Sequence, residues 1–153
     1  MPRRGSRVRP AWQDRFALPS RDELLCAFGT QQRRLLDLVR EHMLALESVE
    51  ESLSWRGIPW RWTFGYSMEG ENDRPWAYLV PQPGKPLFAM PVTSLALEAL
   101  DARKHSRVLR EGVSHASQVA GVFWPTWELT SKTLTEELLV LARRRHGTLV
   151  ALA

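Results

Sequence analysis

The stretch Trp55–Tyr66, WRGIPWRWTFGY, sets aromatic side chains at 60, 62, 64 and 66, two residues apart. A strand turns alternate side chains to opposite faces, so Ile58, Trp60, Trp62, Phe64 and Tyr66 are expected on one face. Pro59, Arg61, Thr63 and Gly65 then fall on the other. Such a row is either the inner face of a sheet buried under helices or a platform on which a ligand stacks, with Arg56 and Arg61 as cationic neighbours. Alternation puts Arg61 opposite Trp60 and Trp62. Two amphipathic helices elsewhere in the chain need an apolar face to cover, and together these points favour the buried reading.

Strands continue on the C-terminal side. A polar loop, SMEGENDR, leads to PWAYLV, with Trp76, Tyr78 and Val80 on one side and Ala77 and Leu79 on the other. PQPGK follows as a turn in which Pro83 presets φ and Gly84 accepts a positive one. PLFAMPV makes a third strand, and connections this short imply an antiparallel meander.

On the N-terminal side the period is helical. Ser20 and Glu23 have capping-box spacing, Leu24, Leu25 and Phe28 form a short apolar face, and Thr30 caps a longer helix from Gln31. That helix carries Leu35, Leu36, Val39, Met43 and Leu46 on one stripe and frays between Ser48 and Ser54. Beyond the meander, TSLALEAL reads as a helix capped at Thr93 or Ser94, and SRVLREGV as a further helical turn. GVFWPTWEL is extended, with Pro125 implying a bulge or an edge. A last helix starts at a Thr133–Glu136 capping box and stops at Gly147, and TLVALA docks back. The expected fold is α+β, a two-layer sandwich of a mainly antiparallel sheet with helices on one face.

At 153 residues the chain has the length of one domain. Its net charge of +4 is local. Residues 1–15 hold Arg3, Arg4, Arg7, Arg9 and Arg15 against Asp14, and cations and anions balance from residue 16 onward. The organisation read from this is a basic, disordered tail over 1–15 and one α+β domain over 16–153. No apolar run reaches membrane-helix length and no apolar segment follows the first arginines, so a cytoplasmic protein is expected. The single cysteine, Cys26, reads as a buried, inert thiol in a reducing compartment.

Segments VEESLSWRGIPWRWTFGY, RPWAYLVPQPGKPLFAMPV and WELTSKTLTEELLVLARRR together resemble the YdhG-like set of small bacterial domains of unknown function, over residues 20–146. The matching elements are Glu50, Glu51, Trp55 and Pro59, expected before the first strand, and the closing helix from Leu134. The resemblance implies a frataxin-like architecture and, as described for some members, an iron-chaperone role using acidic residues on a helix and a sheet edge. Asp37, Glu41, Glu47, Glu50 and Glu51 are the corresponding carboxylates here. Arg33, Arg34 and Arg40 dilute their field.

Local motifs for chemistry are few. His42, His105, His115 and His146 lack metal-ligand spacing, and Glu69, Glu71 and Asp73 read as a solvated hairpin tip. There is no nucleophile elbow, phosphate loop or dinucleotide fingerprint. The first expectation is therefore a non-catalytic binding or accessory module without a cofactor. Its ligand cleft would be lined by Trp60, Trp62 and Trp76. A homodimer could form through an outward sheet face of Arg61, Thr63, Ala77 and Leu79. The alternatives are divalent-cation or iron binding through the acidic set and nucleic-acid association through Arg3, Arg4, Arg7 and Arg9, with nucleic acid the less favoured partner.

Overall fold

The computed structural model describes residues 10–152. Its elements run α1 (Arg21–Leu25), α2 (Thr30–Ala45), β1 (Val49–Trp55), β2 (Trp62–Met68), β3 (Ala77–Val80) and β4 (Leu87–Ala89). Then come α3 (Ser94–Ala99), α4 (Arg107–Ser114), β5 (Ser117–Val119), β6 (Val122–Trp124), β7 (Thr126–Glu128) and α5 (Lys132–Ala151). Five strands form one antiparallel sheet in the order β1-β2-β3-β4-β7, and β5 and β6 form a separate two-stranded ribbon. The fold is α+β, as the sequence implies. Among the described residues no helix is long and apolar enough to cross a membrane.

Several elements follow their local chemistry. Ser20 accepts from the Glu23 amide and Glu23 reaches back to the Ser20 amide, a complete capping box that starts α1. Leu35, Leu36, Val39 and Met43 are the buried stripe of α2. Thr93 caps α3 by accepting from the Ala96 amide. Pro125 separates β6 from β7, and its carbonyl still accepts from the Met90 amide.

Others differ from the sequence reading. The segment Ser48–Ser54 does not fray from a helix: from Val49 on it belongs to β1, whose seven residues pair with β2 from Val49↔Met68 to Trp55↔Trp62. Glu50, Glu51 and Trp55 thus lie in the first strand rather than before it, and Pro59 sits in the turn that follows. Helix α5 is capped by Ser131, whose side chain accepts from the Leu134 amide, and it runs through Gly147 to Ala151. A glycine inside a helix costs only about 1 kcal/mol relative to alanine, and packing of the last turns overrides that. Cys26 is exposed, its thiol donating to the Glu23 carbonyl at 3.2 Å. The tail boundary also moves. Trp12 is buried, its indole N–H donates to the Trp60 carbonyl at 3.0 Å, and Arg61 stacks over its ring at 5.1 Å.

Paired residues of an antiparallel ladder share a face. Leu53, Phe64, Leu79, Phe88 and Trp127 therefore form one row across the sheet, with Trp55 and Trp62 to one side and Glu51, Tyr66 and Ala77 to the other. This face is the one that α2 and α4 cover. Arg40 of α2 lies 5.0 Å over the Phe64 ring, and the Trp127 indole donates to the Leu109 carbonyl of α4 at 3.2 Å. Helix α5 packs against both helices. Near its end His146 donates from Nε2 to the Glu47 carbonyl at 2.7 Å, tying α5 to the end of α2.

Trp127 and Gly112 are in contact so close that a Cβ on Gly112 would fall 2.0 Å from the indole nitrogen. Gly147 has nothing within 4 Å of the same position. Gly112→Ala is expected to cost about 3 kcal/mol, because either α4 or a core tryptophan must move. Gly147→Ala should stabilise by roughly 0.5–1 kcal/mol through helix propensity. Urea unfolding of the two variants beside the wild type checks both signs.

Candidate functional site

The aromatic row divides at the β1–β2 turn. Trp62, Phe64 and Tyr66 go under the helices, whereas Trp60 and Ile58 precede the strand, and Ile58 is 79% exposed. Gly57 (φ 78°) and Arg61 (φ 59°) both adopt left-handed backbone, and Arg61 accepts from the Arg56 amide at 2.8 Å. A turn of this shape ends the alternation that a continuous strand would keep, so Trp60 emerges on the opposite side of the sheet.

There it meets two other rings. Trp60 lies 5.3 Å from Tyr78 and 5.8 Å from Trp124, and Tyr78 lies 5.9 Å from Trp124. Tyr78 pairs with Gly65 and so belongs to the face away from α2. Its parity is the reverse of the sequence reading, which grouped it with the buried row and turned Ala77 and Leu79 outward. The Arg56 guanidinium sits 5.0 Å over the Tyr78 ring, a cation–π contact that helps cover a ring only 5% exposed. Burial, partly offset by Arg56, raises the Tyr78 hydroxyl above its ordinary value of 10.0, so it stays protonated at neutral pH. Trp60 and Trp124 are half-buried and Arg56 is exposed. Among the described residues Arg56 and Arg61 make no ion pair.

The strap Ala11–Asp14 joins this surface. Its two tethers are reciprocal: Trp12 donates to the Trp60 carbonyl, and the Trp62 indole donates to the Asp14 carbonyl at 2.6 Å. Arg3, Arg4, Arg7 and Arg9 lie outside the described residues. The first described residues, Pro10–Trp12, line a hollow with Glu23, Leu24, Cys26 and Ala27.

The expected cleft of Trp60, Trp62 and Trp76 does not assemble. Trp62 packs edge-on to Trp55 at 5.8 Å on the helix-covered face. Trp76 is buried 6.1 Å from the His146 ring of α5, its indole N–H without a partner among the described residues. Only Trp60 reaches the open surface. Trp124, which the sequence reading left out, takes the place of the other two. Its signal was the Pro125 that follows it, which breaks the ribbon strand there. The outward face of Thr63, Ala77 and Leu79 is not formed either, since all three are fully buried.

The acidic set is dispersed. Asp37 and Glu41 line an open hollow on α2 with Arg34 and Lys132. Glu47 shares another hollow with Glu69 and Glu71. Among the described residues no group of three histidine, cysteine or carboxylate side chains is placed to hold a metal ion. Glu51 is committed to the core. Its side chain is 3% exposed, and each carboxylate oxygen accepts twice. Oε1 accepts from Arg40 Nη2 at 2.9 Å and Arg21 Nε at 2.8 Å. Oε2 accepts from Arg40 Nε at 3.0 Å and the Tyr66 hydroxyl at 2.9 Å. Burial pushes the Glu51 carboxyl upward, but hydrogen bonds and charge from Arg40 and Arg21 outweigh it and hold the group below its ordinary 4.5. Burial, with the adjoining carboxylate, drives the Tyr66 hydroxyl well above 10.0.

Comparison with known proteins adds no relative: no protein-family model matches the chain, and no curated protein does so with significance.

Removing Glu51 strands two guanidinium groups and a buried hydroxyl. Glu51→Ala should cost about 3 kcal/mol at neutral pH, and Tyr66→Phe about 1.5 kcal/mol. The folded carboxyl titrates lower than the unfolded one, so the ionised group stabilises fully above about 4.5. That contribution drains away as pH falls through the lower folded value. Chemical unfolding across the acid range should therefore show the gap between wild type and Glu51→Gln narrowing with acidification.

Proposed function

We propose that this chain is a non-catalytic binding module whose ligand-facing surface is formed by the Trp60 and Trp124 indoles and Arg56, backed by the buried Tyr78 ring. The observation that carries the reading is the stacked Arg56–Tyr78 pair beside two half-buried indoles, on the face the core helices leave open. Rings offer planar stacking surfaces, and an arginine with no carboxylate partner offers uncompensated charge, so the ligand class is planar and anionic.

Single-stranded nucleic acid suits both features, since bases stack on aromatic side chains and phosphates meet cations. Two partly exposed indoles side by side suit consecutive bases better than one small anion. The arginines among residues 1–9 add charge for a polyanion's phosphates. Kinship with the YdhG-like set belongs to the same proposal at the level of architecture only, supported by helices, a meander and a closing helix in the same order. A cytoplasmic setting agrees with a single exposed thiol.

The experiment is an anisotropy titration of a labelled single-stranded oligothymidine. The wild type should bind at low salt, and Trp124→Ala should weaken binding about tenfold while retaining its circular dichroism. Deleting residues 1–9 should flatten the salt dependence. Absence of binding at low salt, or equal binding by Trp124→Ala, would overturn the reading.

A further inference from the structure

The two edges of the main sheet are built differently. β7 has three residues, follows a proline, and is covered by α4 through Trp127 and Gly112. Those are the devices by which proteins close an edge. β1 has seven residues, no proline and no bulge, and every one of them is only half-buried.

Its outward backbone groups can be assigned. At one end of the β1–β2 ladder Glu69 donates to the Ser48 carbonyl at 2.7 Å, and at the other Arg56 donates to the Arg61 carbonyl. Both Ser48 and Arg56 thus sit in hydrogen-bonded pairs, and alternation gives the same status to Glu50, Ser52 and Ser54. Glu51, Leu53 and Trp55 then direct their N–H and C=O groups away from β2, and none of these meets a backbone partner among the described residues. The connecting segment beside this edge is tied to Trp62 through Asp14 and to Glu51 through Arg21. It presents Phe16 at 93% and Leu18 at 72% exposure.

The geometry points to a second copy of this chain as the partner of β1, paired antiparallel across a two-fold axis at Leu53. The argument for self-pairing is the charge pattern of the strand. With Leu53 opposite Leu53, Glu51 faces Trp55 and Ser52 faces Ser54. Glu50 of one copy then faces Arg56 of the other, twice by symmetry. Facing side chains in such a ladder stand about 5 Å apart at Cβ, close enough for opposite charges to attract and like charges to repel. The inward carboxylate of Glu51, which would otherwise oppose edge pairing, is neutralised by Arg40 and Arg21. Phe16 and Leu18 lie where a neighbouring copy would cover exposed apolar surface. Arg56 also lies over the Tyr78 ring, so Arg56→Glu alters both surfaces, whereas Glu50→Lys alters the strand edge alone.

The test is a charge swap on the full chain, read by light scattering over a range of concentrations with circular dichroism as the folding control. The wild type should have the mass of a dimer. Glu50→Lys and Arg56→Glu should each weaken the dimer at least about tenfold, since each places like charges opposite one another at both symmetric sites. The double variant Glu50→Lys/Arg56→Glu restores the opposition and should recover the dimer. Amide exchange at Leu53 should slow as wild-type concentration rises. A folded wild type that stays monomeric at millimolar concentration overturns the proposal. So does a dimer indifferent to both single reversals.

Discussion

Strand β2 is covered on both sides, and most of the architecture answers to that constraint. From Trp62 to Ser67 every residue is buried. Large side chains at 62, 64 and 66 fill the space under α2, while Thr63, Gly65 and Ser67 on the other side are small. Their size sets how closely the second layer can approach: a Cβ on Gly65 would stand 3.0 Å from the Pro75 ring and 3.2 Å from Ser52 Oγ. The sheet is thus thick with side chains on one face and thin on the other. Helices, which carry wide apolar stripes, pack on the thick face. Loops, the β5–β6 ribbon and a cluster of three rings settle on the thin one.

A buried carboxylate holds the thick side in register. Glu51 costs several kcal/mol to desolvate, and the four donors that offset this come from α1, α2 and β2. A sliding or rotation of α2 would take Arg40 away and leave the charge unpaired, an arrangement far more costly than loss of a few apolar contacts. An apolar residue at position 51 would fill space without that penalty for misplacement. The network therefore fixes where the helices sit on the sheet as well as how firmly.

The same residue explains what was hidden in the sequence. β1 alternates Val49, Glu51, Leu53 and Trp55 against Glu50, Ser52 and Ser54, an ordinary strand pattern except that its inward row contains an ion-paired glutamate. Charge at an inward position erases period-2 hydrophobicity, so the segment reads as a fraying helix. The α1 capping box, the α2 stripe and the meander were legible because their signals are local and unopposed. The parity of β3 was not, because Trp76 lies outside the strand and does not share the face of Tyr78 and Val80. Trp12 was counted with the arginines around it, although one large indole can bury enough surface to dock a short segment. Of the ring surface, only Trp60 and Arg56 stand out in the sequence. Trp124 and Tyr78 join them through a long-range ribbon contact that no local pattern encodes.

The strap shows how closely those contacts are shared. Its hydrogen bonds run to the Trp60 carbonyl and from the Trp62 indole, one residue on each side of the turn. Between them Arg61 takes the left-handed backbone and lays its guanidinium over the Trp12 ring. Trp62 thus holds the strap from the covered face, while Trp60 gives its carbonyl to the strap and its ring to the opposite side. The turn that sends Trp60 to the open face is therefore also the one that docks the strap, and a change in its backbone would disturb both.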